Sequence, residues 1–205
     1  MPDLPSALII VDVQHDFLPG GSLAVPDGDA VIDVINRAMD SHSCIVATQD
    51  WHPADHLSFA SNHQGLAIGD TVQLDGLPQI LWPDHCIQNS HGAEFHPRLN
   101  MERVEHVVQK GTDRTIDSYS GFFDNGQRQE TDLHPFLQTK SVSKVVITGL
   151  ATDYCVKFTA LDAISLGYQA ELLIDACWGV NLQTGDVDEA IREMERAGVT
   201  ILHSS

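Results

Sequence analysis

Basic residues are scarce in this chain. Eleven lysines and arginines stand against twenty-nine aspartates and glutamates, a formal net charge of −18 at pH 7. That balance argues against nucleic acid and against an anionic membrane surface as partners, because both need a basic patch. It leaves a small neutral substrate open, and it is compatible with a homo-oligomer. No apolar run approaches the length of a membrane span. The N-terminal stretch MPDLPSALIIVDVQ lacks the basic segment of a secretion signal. The four cysteines, Cys44, Cys86, Cys155 and Cys177, show no CxxC spacing. Reduced thiols in a cytoplasmic protein are the expected state. No repeat, low-complexity tract or linker divides the 205 residues, so one domain over residues 1–205 is expected.

What is present is a β-α-β rhythm. Ala7–Val11 (ALIIV), Cys44–Thr48 (CIVAT), Val104–Gln109 (VEHVVQ), Val145–Ile147 and Gln169–Ile174 read as strands buried on both faces. Val199–Leu202 reads as a last strand. Asp29–Met39 and Val187–Ala197 carry the apolar spacing of amphipathic helices, and Asp132–Gln138 reads as a helix interrupted early by Pro135. Residues 62–78 read as a long loop holding at most a short hairpin. Alternating units of this kind predict an α/β fold, a parallel sheet in a three-layer α/β/α sandwich. A flavin or dinucleotide module would carry a glycine-rich phosphate loop after the first strand. Here that position reads Asp12-Val13-Gln14-His15-Asp16.

The stretch KVVITGLATDYCVKFTALDAISLG, residues 144–167, organises the rest. A strand turns sharply into a helix, with Thr152 or Asp153 as a capping residue and Cys155 in the first helical turn. Free N–H groups there favour a thiolate and can hold a developing oxyanion. Packing as a small buried hydrophobe is the alternative role for Cys155. Asp12 and Lys110 also fall at or just beyond the C-terminal ends of strands, so one sheet edge receives an acid, a cation and a thiol. An ammonium lowers a thiol pKa and a carboxylate can accept the proton. Asp175 ends another strand and competes with Asp12 for the role of base.

Asp50 and His52 lie two apart directly after a strand and project to the same side if extended. With His85 they make an Asp/His/His set of the kind that holds a divalent metal with positions left open. His56 is either a further ligand or a rim residue. Zinc comes first for such a set, with iron or manganese as alternatives. Phe17 is either core or a wall of the pocket. Trp82 is either core or a platform for a flat ring.

On five stretches in order, IIVDVQHDFLPGGSLAV, TQDWHPADHLSFASNH, LWPDHCIQNSHGAEFHP, QKGTDRTIDSYSGFFDN and VITGLATDYCVKFTALDA, the chain closely resembles the nicotinamidase branch of the isochorismatase-like cysteine hydrolases. The resemblance implies a flavodoxin-like sandwich that hydrolyses nicotinamide to nicotinate and ammonia in NAD salvage. It implies Asp12 as general base, Lys110 as the cation and Cys155 as nucleophile. Ala151 and Cys155 would supply the N–H groups of the oxyanion hole, with a cis peptide between Leu150 and Ala151. Asp50, His52 and His85 match the family's metal ligands, His56 matches a position that ligates in some members, and Phe17 and Trp82 would sandwich the ring. Other superfamily members hydrolyse ureido or carbamoyl compounds, which is the alternative activity.

Overall fold

The structure, a computed structural model, describes residues 5–204. Its main sheet is built from β1 (Ser6–Val11), β2 (Cys44–Asp50), β5 (His106–Lys110), β6 (Lys144–Leu150), β7 (Gln169–Trp178) and β8 (Thr200–Leu202). All pairings are parallel, in the order β5-β2-β1-β6-β7-β8. A separate antiparallel hairpin, β3 (Thr71–Leu74) and β4 (Leu77–Ile80), occupies the stretch expected to be mostly loop.

β1 is apolar throughout because both of its faces are covered. Ala7, Ile9 and Val11 join the cluster that holds Leu133 and Leu137 of α2 (Leu133–Thr139), Ala160 and Ala163 of α3 (Lys157–Ser165) and Met194 of α4 (Asp186–Ala197). Leu8 and Ile10 point the other way, to Ile32, Ile35 and Met39 of α1 (Val31–Met39). The period-two alternation of a strand thus divides one continuous apolar run between two cores. Each such Leu or Ile contributes about 1.5–3 kcal/mol by leaving water.

Chain order reverses between β1 and β6: β2 and β5 build outward on one side, β7 and β8 on the other. Counted within this sheet the order is 3-2-1-4-5-6. Flavodoxin itself uses 2-1-3-4-5, so the likeness expected from the sequence holds for the layers rather than the strand order. In either arrangement, the crevice beyond the strand ends at the reversal is where open parallel sheets bind ligands. Asp12 follows β1 there, and the segment after β6 carries Cys155.

Three local expectations are corrected. β7 runs on to Trp178, so Asp175 lies inside a strand. Its carboxylate accepts from the Ser204 N–H at 2.7 Å and hydroxyl at 2.9 Å, away from the crevice. Pro135 does not interrupt α2. It is the third residue, in the first turn, where a backbone N–H has no helical partner to lose. Neither Thr152 nor Asp153 caps the central helix. Asp153 instead accepts from the N–H groups of Val180 (2.9 Å) and Asn181 (2.7 Å), tying the loop after β7 to the turn after β6.

β6 presses against β1 at Gly149, whose φ is +109°. A Cβ there would stand 2.1 Å from the Val11 carbonyl oxygen. The register with β7 also shifts between Ile147 and Gly149. Gly149→Ala should therefore lower unfolding free energy by about 3 kcal/mol, from left-handed strain and backbone collision together. Urea denaturation checks this, and a loss under about 0.5 kcal/mol, the usual range for a surface change, would contradict the close approach.

Candidate active site

The turn after β6 is wound as a π-helix over Thr152–Val156, preceded by a cis Leu150–Ala151 peptide. In this winding the Ala151 carbonyl accepts from the N–H groups of Tyr154 (3.0 Å) and Val156 (3.1 Å). Neither bond uses the N–H of Cys155. Single π turns are rare and occur frequently at functional positions. The turn lifts Cys155 to the floor of a cleft, where the residue is 7% exposed.

Lys110, the last residue of β5, is 2% exposed. Its ammonium donates to the Ser118 carbonyl (2.9 Å), pairs with Asp12 Oδ2 (2.9 Å) and with Asp50 Oδ1, and lies 3.5 Å from Cys155 Sγ. Donor atoms of Asp12, Asp50 and Cys155 all fall within 4.8 Å of one another. Asp12 has the turn-like φ of +50°, and its Oδ1 accepts from the Thr48 hydroxyl at 2.6 Å. Strand-end placement thus brings together the three side chains that the sequence nominated from separate strands.

One ammonium here serves more acidic groups than it can neutralise. Burial pushes the Asp12 carboxyl up to about 6, against the pull of Lys110. Burial also raises the Cys155 thiol well above its ordinary value, and Lys110 only partly offsets this. Lys110 does pull the thiol pKa down as expected, but desolvation outweighs that pull. In the resting site the thiol keeps its proton, beside a carboxylate of unusually high basicity.

The second constellation shares Asp50. Its Oδ2 faces the Nε2 atoms of His52 (3.5 Å) and His85 (3.9 Å), and all three residues are buried. The outer nitrogens are held by the backbone. His52 Nδ1–H donates to the Gly111 carbonyl and His85 Nδ1–H to the Pro83 carbonyl, each at 2.8 Å. That leaves both Nε2 atoms directed inward, and His52 Nε2 is a buried polar atom with no hydrogen-bond partner among the described residues. Burial depresses His85 to about 4 and lowers His52 too. For His52 the charge of Asp50 wins and raises it. Burial also works against the Asp50 charge, yet Lys110 beside it holds the carboxyl well below the usual range. An ionised carboxylate, a neutral imidazole and an orphaned inward nitrogen fit a divalent cation.

His56 falls elsewhere. It groups with His52 and Asp117 rather than with Asp50 and His85, its Nδ1 lies 2.7 Å from the Ser58 hydroxyl, and its Nε2–H donates to the Ile116 carbonyl at 3.3 Å. Cys86 is buried, with its Sγ 3.9 Å from the Gly92 carbonyl oxygen and its N–H donating to Asp16 at 2.7 Å. Phe17 and Trp82 both line the cleft, as do Asp50, His85, Ala151 and Cys155. Phe17 meets His85 edge-on at 5.5 Å, and Trp82 meets Tyr154 edge-on at 5.2 Å.

Several residues at the site went unnoticed in the sequence. Gln14 clamps Asp50 from both sides of the backbone: its amide donates to the Asp50 carbonyl and accepts from the Asp50 N–H, each at 2.8 Å. Tyr119 accepts from Trp82 Nε1–H and from Gln79, both at 3.1 Å. Their roles depend on contacts between distant segments, and no local pattern announces them.

A parallel-sheet fold with a thiol, an ammonium and a carboxylate at its switch point describes a hydrolase class. The chain belongs to the isochorismatase domain family, which matches residues 6–205. It is 51% identical to the nicotinamidase of Escherichia coli (strain K12) over 96% of this chain and 94% of that protein. Among solved structures it superposes on an Acinetobacter baumanii nicotinamidase with a TM-score of 0.95, at 42% identity, covering 99% of this chain and 98% of that one. A pyrazinamidase of Pyrococcus horikoshii in complex with zinc matches with a TM-score of 0.79 at 38% identity, over 98% and 99% of the two chains.

Gly111 is the residue that lets His52 sit where it does. Its φ is +64°, and a Cβ there would stand 2.3 Å from the imidazole Cε1. Gly111→Ala should weaken divalent metal binding about 10–100-fold by displacing the ring and its carbonyl partner. Competition against a chromophoric chelator measures this, and unchanged affinity would show that His52 is not held in place by Gly111.

Proposed function

We propose that this protein hydrolyses nicotinamide to nicotinate and ammonia, a step of NAD salvage, with Cys155 as nucleophile. The observation that carries the reading is Cys155 on the floor of a cleft walled by Phe17 and Trp82, with Lys110 and Asp12 buried beside it. The full-length similarity to nicotinamidases supports it.

Asp12, a base with its pKa pushed up to about 6, takes the Cys155 proton as sulfur attacks the carboxamide carbon. Lys110 balances the charge that appears on sulfur and on Asp12 in turn. The oxygen of the tetrahedral intermediate lies against the N–H groups of Ala151 and Cys155, and losing one such donor typically costs about 10²–10³-fold in rate. Asp12 returns the proton to nitrogen, and the C–N bond breaks to release ammonia and leave a thioester. A water molecule, deprotonated by the same carboxylate, attacks the thioester carbon, and the C–S bond breaks. Nicotinate leaves and the thiol recovers its proton.

Asp50, His52 and His85 would hold one divalent ion, zinc first by the chemistry of the set. When bound, it supplies a Lewis acid for the ring nitrogen of the substrate. His56 backs the set through His52 rather than as a primary ligand. Phe17 and Trp82 cover the two faces of the pyridine ring.

Ammonia release from nicotinamide by the metal-loaded protein tests the reading. Cys155→Ala should lower kcat at least 10³-fold with the fold intact, and chelation should lower turnover until metal is restored. A Cys155→Ala protein that keeps most of its activity would exclude the thiol route. A wild-type protein inert toward nicotinamide but active on ureido or carbamoyl amides would move the substrate assignment and leave the nucleophile in place.

A further inference from the structure

Outside the cleft, three side chains of metal-ligating type gather that the proposed reaction does not use, with a fourth, His96, beside them and its Nδ1 accepting from the Arg98 N–H at 3.2 Å. His15 lies in the turn after β1, while His91, Glu94 and His96 lie in the segment after His85. The His15 and His91 ring centroids are 4.1 Å apart, and His96 is 5.4 Å from His15. Donor atoms of His15, His91 and Glu94 all fall within 4.8 Å of one another. Glu94 Oε2 is 2.8 Å from His91 Nδ1. The rings line a shallow surface cavity together with Asp16 and Asp29.

The backbone beneath them is already fixed. The His15 N–H donates to the Glu94 carbonyl at 3.0 Å, and the Gln14 amide donates to the Ala93 carbonyl at 2.9 Å. Gln14 and Phe95 form an antiparallel bridge across the same junction. The donors thus stand on two turns locked to each other, so binding an ion costs little ordering of the chain. His15 and His96 are both held below the ordinary imidazole value, first by partial burial and then by neighbouring positive charge. That shift favours the neutral ring, the state in which its nitrogen can ligate.

We propose that His15, His91 and Glu94, joined by His96, form a second metal site, separate from Asp50/His52/His85, that takes a divalent transition ion of the zinc type. Imidazole-rich sets with one carboxylate select such ions over magnesium or calcium, which demand oxygen ligands. Bound there, the ion cross-links the turn after β1 to the segment that follows His85.

The test is metal stoichiometry on tag-free protein with its first site already loaded, dialysed against micromolar free Zn²⁺. The wild type should bind two zinc ions per chain, and His15→Asn combined with His91→Ser should bind one, with an unchanged thermal melt in chelator. Glu94→Gln, a single exposed change, should weaken only the second ion, on the order of tenfold. Magnesium should not displace that ion. A wild type that stays at one zinc ion per chain, or a double variant that keeps two, would overturn the site. Neither result depends on which amide the enzyme hydrolyses.

Discussion

The site depends on a shortage of positive charge. Lys110 is buried, and it lies against two carboxylates and a thiol. Removing charges from water costs several kcal/mol per ion even after relaxation, and the ammonium can repay that for only part of the group. Asp50 wins its share and stays ionised. Asp12 and Cys155 are compensated only in part, so the carboxylate becomes a stronger base and the thiol keeps its proton. The same imbalance makes Asp50 and the inward nitrogen of His52 a place that favours an added cation.

Topology is what creates this crowding. Lys110 ends β5, Asp50 ends β2, Asp12 follows β1 and Cys155 follows β6, in four neighbouring strands on one sheet edge. Parallel strands all deliver their C-terminal ends to the same side, and the reversal between β1 and β6 opens the crevice there. Gly149 lets β6 approach β1 closely at that point, and Gly111 makes room for His52. The apolar interiors of the strands fix the polar residues at their tips.

Much of this was legible in the sequence. The strands declared themselves as short β-branched runs, and each bore one polar residue at its C-terminal end, so Asp12, Asp50, Lys110 and Cys155 could be placed without coordinates. What stayed hidden depends on tertiary contact. Asp153 looks like a helix cap and instead holds the loop at Val180 and Asn181. The π winding of residues 152–156 has no periodicity that distinguishes it from an ordinary helix start. Asp175 appeared to end its strand because its apolar run pauses there, yet pairing with β6 resumes at Cys177. The direction of the Cys155 shift turned on burial, which no spacing reveals.

The most direct measurement is a carbon-13 NMR titration of the Asp12 carboxyl in the wild-type protein, assigned by comparison with Asp12→Asn. The balance described here predicts a midpoint of about 6. A midpoint in the ordinary aspartate range near ~4 would mean that Lys110 fully compensates the burial of Asp12, and would contradict the charge shortage on which the site is built.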